Sequence, residues 1–320
     1  MTAPKVSIVV LTRNAGPEFG ELLRRLGSQD ADFEYEVVVI DSGSTDDTTD
    51  LALRHGASVH TIDPSAFDHG ATRNLGAARA RGEYIAFLVQ DALPLNDHWL
   101  SMMVEDLDHD QRVAGVYSRQ LPRPESGPLT RVLVSGWATA ASERRTQFVS
   151  SPAAYRALPP QEKLKLAAFD NVSSCVRCSV LEEHPFERTR FGEDLRWGKA
   201  VVEAGYALVY EPASTVLHSH ERGARYDLRR HYVHGALLAE LFGLVPKPWR
   251  PPIDALLSAT YLYRRLRRQE SVESPRAALL ALRYSLVTQL GTVLGASRGW
   301  LTRTSPHAVA ALDRSLGQGI

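Results

Sequence analysis

The strongest chemical signal in this chain is a cluster of carboxylates and hydroxyls at the end of an apolar run. Val37-Val-Val-Ile-Asp-Ser-Gly-Ser-Thr-Asp46 reads as a buried strand that delivers Asp41 to a sheet edge. A carboxylate there accepts hydrogen bonds from a base N–H or from ribose hydroxyls. Gly43 lets the backbone turn, and Ser42 and Ser44 offer hydroxyls. A helix-capping turn that binds nothing is the competing reading of the same residues. Two more polar clusters follow apolar runs: Thr12-Arg13-Asn14 after Val6–Leu11, and Gln90-Asp91 after Tyr84–Val89. Glu193-Asp194 opens a helical stretch, where the helix dipole also favours acids with no further role. His218 closes a short apolar run, and a lone histidine there is equally a hydrogen-bonded structural residue. Cys175 and Cys178 form one C-x-x-C pair, too little for a zinc site; they read as two small half-buried residues.

Positioning these groups requires a sheet. Apolar runs at 6–11, 35–40, 58–62, 84–89 and 113–117 alternate with helical spacing at 17–28, 45–56, 70–81 and 99–107. This order predicts an α/β fold, with a mostly parallel central sheet and flanking helices. Ligands of such sheets bind beyond the carboxyl ends of the strands, where the three polar clusters fall. Residues 122–168 read as loops and short helices over the site. Further strands are expected at 171–175, 206–210 and 215–217, with a helix at 193–204. After about residue 225 the pattern is helical. Leu279, Leu282, Leu286, Leu290 and Val293 recur at spacings of three and four, broken by Arg283 and Gln289. This favours an amphipathic helix over a membrane span.

Composition agrees with a globular protein: 320 residues, 44% apolar and 23% charged. Two cysteines fit a reducing cytoplasm. The first apolar run is too short for a signal-peptide core, so secretion is not expected. Charge is uneven. From Glu221 onward there are 15 Lys/Arg against 7 Asp/Glu, and the preceding residues hold 22 against 30. Arg264-Arg265 and Arg267-Arg268 are the densest basic cluster, with no nucleic-acid motif around them. A solvated helix face and an anionic membrane surface both explain them. The expected division is 1–222 and 223–320.

Taken in order, Thr12–Asn14, Asp41–Asp46, His69–Gly76, Phe87–Pro94, Phe191–Trp197 and Gly205–His218 resemble the motifs of family 2 glycosyltransferases of the GT-A fold. The likeness covers about the first 220 residues. Phe67-Asp-His-Gly70 and Gln90-Asp91-Ala92 look most like bacterial rhamnosyltransferases, which use dTDP-L-rhamnose to build cell-surface polysaccharide. The resemblance implies a GT-A domain with a C-terminal helical extension. It implies an inverting transferase taking a nucleotide-diphosphate sugar donor and a saccharide or lipid-linked acceptor. By position, Thr12, Arg13, Asn14, Asp41, Ser42, Ser44, His69 and Gln90 would hold the donor. Arg73 would sit near its diphosphate or ribose, where a guanidinium forks onto oxygen. Asp91 matches the last acid of the family's Asp-x-Asp metal motif, whose first acid is replaced here by Val89. His218 matches a position that can ligate the metal, and His220 is a weaker candidate. Mg²⁺ or Mn²⁺ is the implied ion, and a nitrogen ligand favours Mn²⁺. Asp194 matches the catalytic base and Glu193 a supporting acid; Trp197 and Arg196 would line the acceptor groove.

Two rival readings stand beside this one. A nucleotidyltransferase would show a Gly-rich loop with a Lys after the first strand, and Thr12-Arg13-Asn14-Ala15-Gly16 has none. A degenerate scaffold at a membrane draws on Val89 and the basic tail; the retained Asp91, Glu193, Asp194 and His218 weigh against it. The helical tail is expected either at the inner membrane face or in a dimer interface.

Overall fold

The computed structural model describes residues 3–247 and 249–317. The chain divides into two compact units, Met1–Arg123 with Trp137–Ser219, and Pro124–Gly136 with His220–Ile320. Where the sequence suggests one boundary after residue 222, the division falls between Ser219 and His220, and residues 124–136 join the second unit.

The first unit begins as the apolar runs predict: β1 (Val6–Thr12), α1 (Phe19–Gly27), β2 (Tyr35–Asp41), α2 (Thr48–Arg54), β3 (Ser58–Thr61), α3 (His69–Arg79) and β4 (Tyr84–Val89). These four strands are parallel, in the order β3-β2-β1-β4. Both faces of β1 are covered. Val6, Ile8 and Val10 pack with Leu22 and Leu26 of α1 on one side, while Val9 joins a second core on the other. Two-sided burial is why the run is continuous rather than alternating.

The chain continues through β5 (Leu93–Pro94), α4 (Trp99–His109), β6 (Val113–Leu121) and, in the second unit, α5 (Pro128–Val134). It returns with β7 (Arg145–Gln147), α6 (Pro152–Ala157), α7 (Pro160–Ala167), β8 (Ser173–Arg177), α8 (Cys178–Glu183), α9 (Glu193–Glu203) and β9 (Ala207–Leu217). Here the sheet departs from the parallel pattern. β8 lies antiparallel between β4 and β6, while β6 and β9 pair in parallel. The sheet of the described residues is therefore mixed, ordered β3-β2-β1-β4-β8-β6-β9-β5, with β7 added on β9. The runs at 206–210 and 215–217 are one strand with a bulge: Ser118 pairs with Glu211, but Arg119 pairs with Thr215. Pro212 sits in that bulge, where no ladder N–H is required of it. The reversal of β8 brings its first residues to the rim where β1, β2, β4, β6 and β9 end.

The second unit adds α10 (Ala224–Phe242), α11 (Arg250–Gln269), α12 (Ser274–Ala296), α13 (Arg298–Thr304) and α14 (Pro306–Leu316). Its small core gathers Val132 of α5, Leu262 and Leu266 of α11, and Ala277 and Ala281 of α12. α12 buries its small residues, among them Ser285, Thr288, Gly291 and Gly295. A Cβ on Gly295 would lie 1.9 Å from the Tyr232 carbonyl oxygen, so α10 and α12 meet backbone to backbone. The leucine stripe points the other way: Leu279, Leu282, Leu286 and Leu290 are all at least half exposed. By length and mean hydropathy (1.4), α12 is the one helix among the described residues apolar enough to cross a membrane.

Candidate active site

Register brings the predicted residues to one rim. Thr12 pairs with Asp41, Leu11 with Val89, and Leu121 with Leu217, so the residues that follow each strand lie along a common edge. The loops after β1 and β2 are laced together. Asn14, in the left-handed region at φ 46°, accepts from the Thr45 N–H at 2.7 Å. Its own N–H donates to Ser44 Oγ at 2.7 Å. The Arg13 N–H donates to Gln90 Oε1 at 2.8 Å, and Gln90 Nε2 donates back to the Arg13 carbonyl.

Asp41 is buried and fully engaged within the chain. One oxygen accepts from the Thr12 and Ser44 hydroxyls at 3.0 and 2.5 Å, the other from the Gly43 and Ser44 N–H groups at 3.0 and 2.8 Å. A carboxylate offers about four lone-pair sites, so Asp41 shapes the loop as it stands. The expectation that it reaches a base or ribose requires some of these bonds to be exchanged. Ser42 is the opposite case. Its hydroxyl is buried with no hydrogen-bond partner, and the residue lines a pocket of about 250 Å³. Thr12, Arg13, His69, Arg73 and Gln90 line the same pocket, with Leu11, Phe67 and Val89 as its apolar wall. A buried hydroxyl without a partner costs about 1–3 kcal/mol, and a polar ligand in the pocket removes that cost. Val89 thus presents a methyl surface where the metal motif has its first acid.

Arg73 reaches both the pocket and α9. It lines the pocket, yet its Nη1 forms a buried ion pair with Glu193 at 2.7 Å. The charge expected on a diphosphate is shared with a carboxylate of α9, and Arg73 Nε has no partner. The pair fastens the pocket wall to the start of α9. Gly192, at φ 75°, makes the sharp entry into that helix, a conformation that penalises residues with a Cβ. Asp194 follows in the first turn. Burial raises its carboxyl well above the ordinary carboxylate range; the Glu193 and Asp170 charges add to the rise, and the Leu195 N–H and Arg73 oppose it.

The expectation for Trp197 is corrected. It is a core residue, 2% exposed, packed against Phe169 and Phe186, with its indole N–H on the His184 carbonyl at 2.8 Å. It supports α9 from below and has no surface for an acceptor. One turn of periodicity decides this: α9 presents Trp197 and Val201 to the sheet. Arg196 is half-buried and pairs with Glu187 at 3.4 Å.

At the far side of the rim, His218 Nε2 stands 3.8 Å from Asp91 Oδ1. A 3.8 Å gap is long for a hydrogen bond and suits two ligands sharing a cation at about 2.1 Å each. A carboxylate oxygen and an imidazole nitrogen are a donor pair that a divalent cation can use. Residues the sequence reading passed over complete this side. Arg123 Nη2 donates to the Asp91 carbonyl at 2.7 Å. Gln120 bridges Asp170 and His218, at 2.8 and 3.3 Å. The signal for Gln120 is that it ends a polar run, Ser118-Arg119-Gln120, at the close of an apolar strand. For Asp170 it is an acid just ahead of β8.

Solved structures with this arrangement are glycosyltransferases of the GT-A fold, and that is the class to which the fold belongs. A mannosyltransferase from Pyrobaculum calidifontis, in complex with GDP-Man and Mn²⁺, matches with TM-score 0.56 at 20% identity, over 96% of this chain and 88% of that one. TarS 1–349 from Staphylococcus aureus, in complex with UDP-GlcNAc, matches with TM-score 0.50 at 18% identity, over 92% of each chain. The sequence goes further: the profile of Glycosyl transferase family 2 matches residues 7–181. The chain belongs to that family and is a glycosyltransferase. Among its relatives is the O-antigen chain rhamnosyltransferase RfbN of Salmonella typhimurium, 31% identical over 242 residues, or 73% of each protein. WbaN of Salmonella anatum, another O-antigen chain rhamnosyltransferase, is 29% identical over 246 residues, 74% of this chain and 73% of that one.

Proposed function

We propose that this enzyme transfers L-rhamnose from dTDP-L-rhamnose to a hydroxyl of a saccharide or lipid-linked acceptor, with inversion, during cell-surface polysaccharide synthesis. The observation that carries the mechanism is the Arg73–Glu193 pair, because it couples the wall of the pocket to the helix start that bears Asp194. The choice of sugar rests on the two rhamnosyltransferase relatives.

In this reading the donor occupies the pocket, its polar groups meeting the partnerless Ser42 hydroxyl, Thr12, Arg13 and Gln90. Asn14, Asp41 and Ser44 hold the loop that shapes it. Asp194 takes the proton from the acceptor hydroxyl, whose oxygen attacks the anomeric carbon from the face opposite the diphosphate. A raised pKa suits that task, since a base works best when its pKa lies near the working pH. Glu193, held by Arg73, keeps a second negative charge beside the base. A divalent cation held by Asp91 and His218 would offset the charge on the diphosphate. A thermal-shift screen of dTDP-, UDP- and GDP-sugars with Mn²⁺ tests the donor. Stabilisation by dTDP-L-rhamnose above the others is expected; a preference for a UDP- or GDP-sugar reassigns the donor. No stabilisation by any of them favours the degenerate-scaffold reading.

A second reading concerns location, at the cytoplasmic face of a membrane. The exposed Leu279, Leu282, Leu286 and Leu290 stripe, with Arg276 and Arg283 on the same helix, supports contact with an anionic lipid surface. Co-sedimentation with anionic vesicles, lost on Leu282→Glu with Leu286→Glu, is the expected result. A homodimer that persists in solution and shields the stripe would reassign it to self-association.

A further inference from the structure

We infer that Gln120 is a positioning residue that fixes the proton of His218 on Nδ1 and so presents the Nε2 lone pair to the side where Asp91 stands. The inference rests on the reading of Asp91 and His218 as the cation pair.

The chain of reasoning starts at Asp170. Its Oδ1 accepts from the Val172 N–H at 2.8 Å, which orients the carboxyl group. Its Oδ2 faces the Gln120 side-chain amide at 2.8 Å. A carboxylate oxygen accepts, so the amide nitrogen of Gln120 belongs on that side, and its Oε1 on the other. Oε1 accepts only, and it lies 3.3 Å from His218 Nδ1. Nδ1 therefore carries the hydrogen. In a neutral imidazole the lone pair is then on Nε2, the atom 3.8 Å from Asp91 Oδ1. Gln120 and His218 have little room to turn, at 1% and 9% exposed.

The same relay has a second end. Asp170 is one of the charges that raise the Asp194 carboxyl. Gln120 thus lies between the acidic side of the rim and the imidazole side. Outer partners of this kind set ligand orientation, and their loss typically costs about 10–100-fold in metal affinity. A purely structural role is the alternative, because a buried amide must satisfy its polar atoms in any case.

The test uses the full chain and two variants. Gln120→Leu keeps the approximate volume and removes both bonds. Gln120→Glu keeps an oxygen for His218 Nδ1–H, whether or not its carboxyl holds a proton toward Asp170. Histidine ¹⁵N spectra of the cation-free protein report the tautomer of His218, and paramagnetic titration reports Mn²⁺ affinity. The wild type should show hydrogen on Nδ1. In Gln120→Leu that tautomer should be lost and Mn²⁺ affinity should fall about 10–100-fold; Gln120→Glu should restore both. Hydrogen on Nε2 in the wild type, or a folded Gln120→Leu with unchanged tautomer and affinity, overturns the inference. If the wild type binds no Mn²⁺, the cation reading falls by itself, and the tautomer result still decides the role of Gln120.

Discussion

The two units dispose of their apolar residues in opposite ways. In the first, strands such as β1 bury both faces, and the polar residues collect in the loops at the rim. In the second, α12 buries alanine, glycine, serine and threonine and turns its leucines outward. The cause is the contact each element makes. A sheet covered by helices on both sides takes branched side chains on both faces. Two helices whose backbones touch leave room only for small residues, and the large ones must go elsewhere. Chemistry divides along the same line: the pocket, Asp91, Asp194 and His218 all belong to the first unit.

The sharpest way to break this comparison is to separate turnover from stability at one residue. Asp194→Asn should lower kcat by about 10²–10⁴-fold, or about 3–5 kcal/mol, while calorimetry shows donor binding intact. Normal turnover would refute the assignment of the base. The same variant carries a pH signature. A raised folded-state pKa means that the stability owed to Asp194 is fully present below its unfolded value and is lost as pH rises through its folded value. Asparagine does not titrate, so the variant should melt higher than the wild type at alkaline pH, with the gap closing toward pH 4. Turnover of the wild type should rise with pH as this carboxyl ionises.

The next largest effects concern packing. Leu22→Ala in α1 removes a fully buried side chain and should cost about 2–5 kcal/mol in denaturant unfolding. Gly295→Ala in α12 forces a methyl against the Tyr232 backbone and should cost about 1–3 kcal/mol, detected as a lower midpoint with kcat on a soluble acceptor unchanged. Leu286→Ala, chemically the same change as Leu22→Ala, should fall within about 0.5 kcal/mol of the wild type, because the residue is 53% exposed. A cost near that of Leu22→Ala would mean that α12 is covered in solution.

Much of this was legible beforehand because it is local. Strand and helix periods between 6 and 121 follow from side-chain burial, and the loops after β1, β2 and β4 fall at the rim as the topology requires. What was not legible is non-local. Nothing in residues 173–177 says that they run backwards between β4 and β6, since their partners lie some ninety residues upstream and sixty upstream respectively. Trp197 was misplaced because motif position does not reveal which face of a helix is buried. The motif position of Arg73 carries no trace of its partner Glu193, which lies 120 positions away. The leucine period in α12 announced a helix correctly without saying which face would be covered.

The reversal of β8 also governs the order in which the enzyme comes into being. As the chain leaves the ribosome, β1, β2, β3 and β4 can pair with one another at once. β6 emerges with no neighbour, because β8 and β9, which flank it, are still to be made. For some fifty residues of synthesis an apolar ribbon waits unpaired, a period in which premature association with other nascent chains is the chief hazard. The loops after β1, β2 and β4 are thus assembled early, and the rim closes only once His218 has been translated.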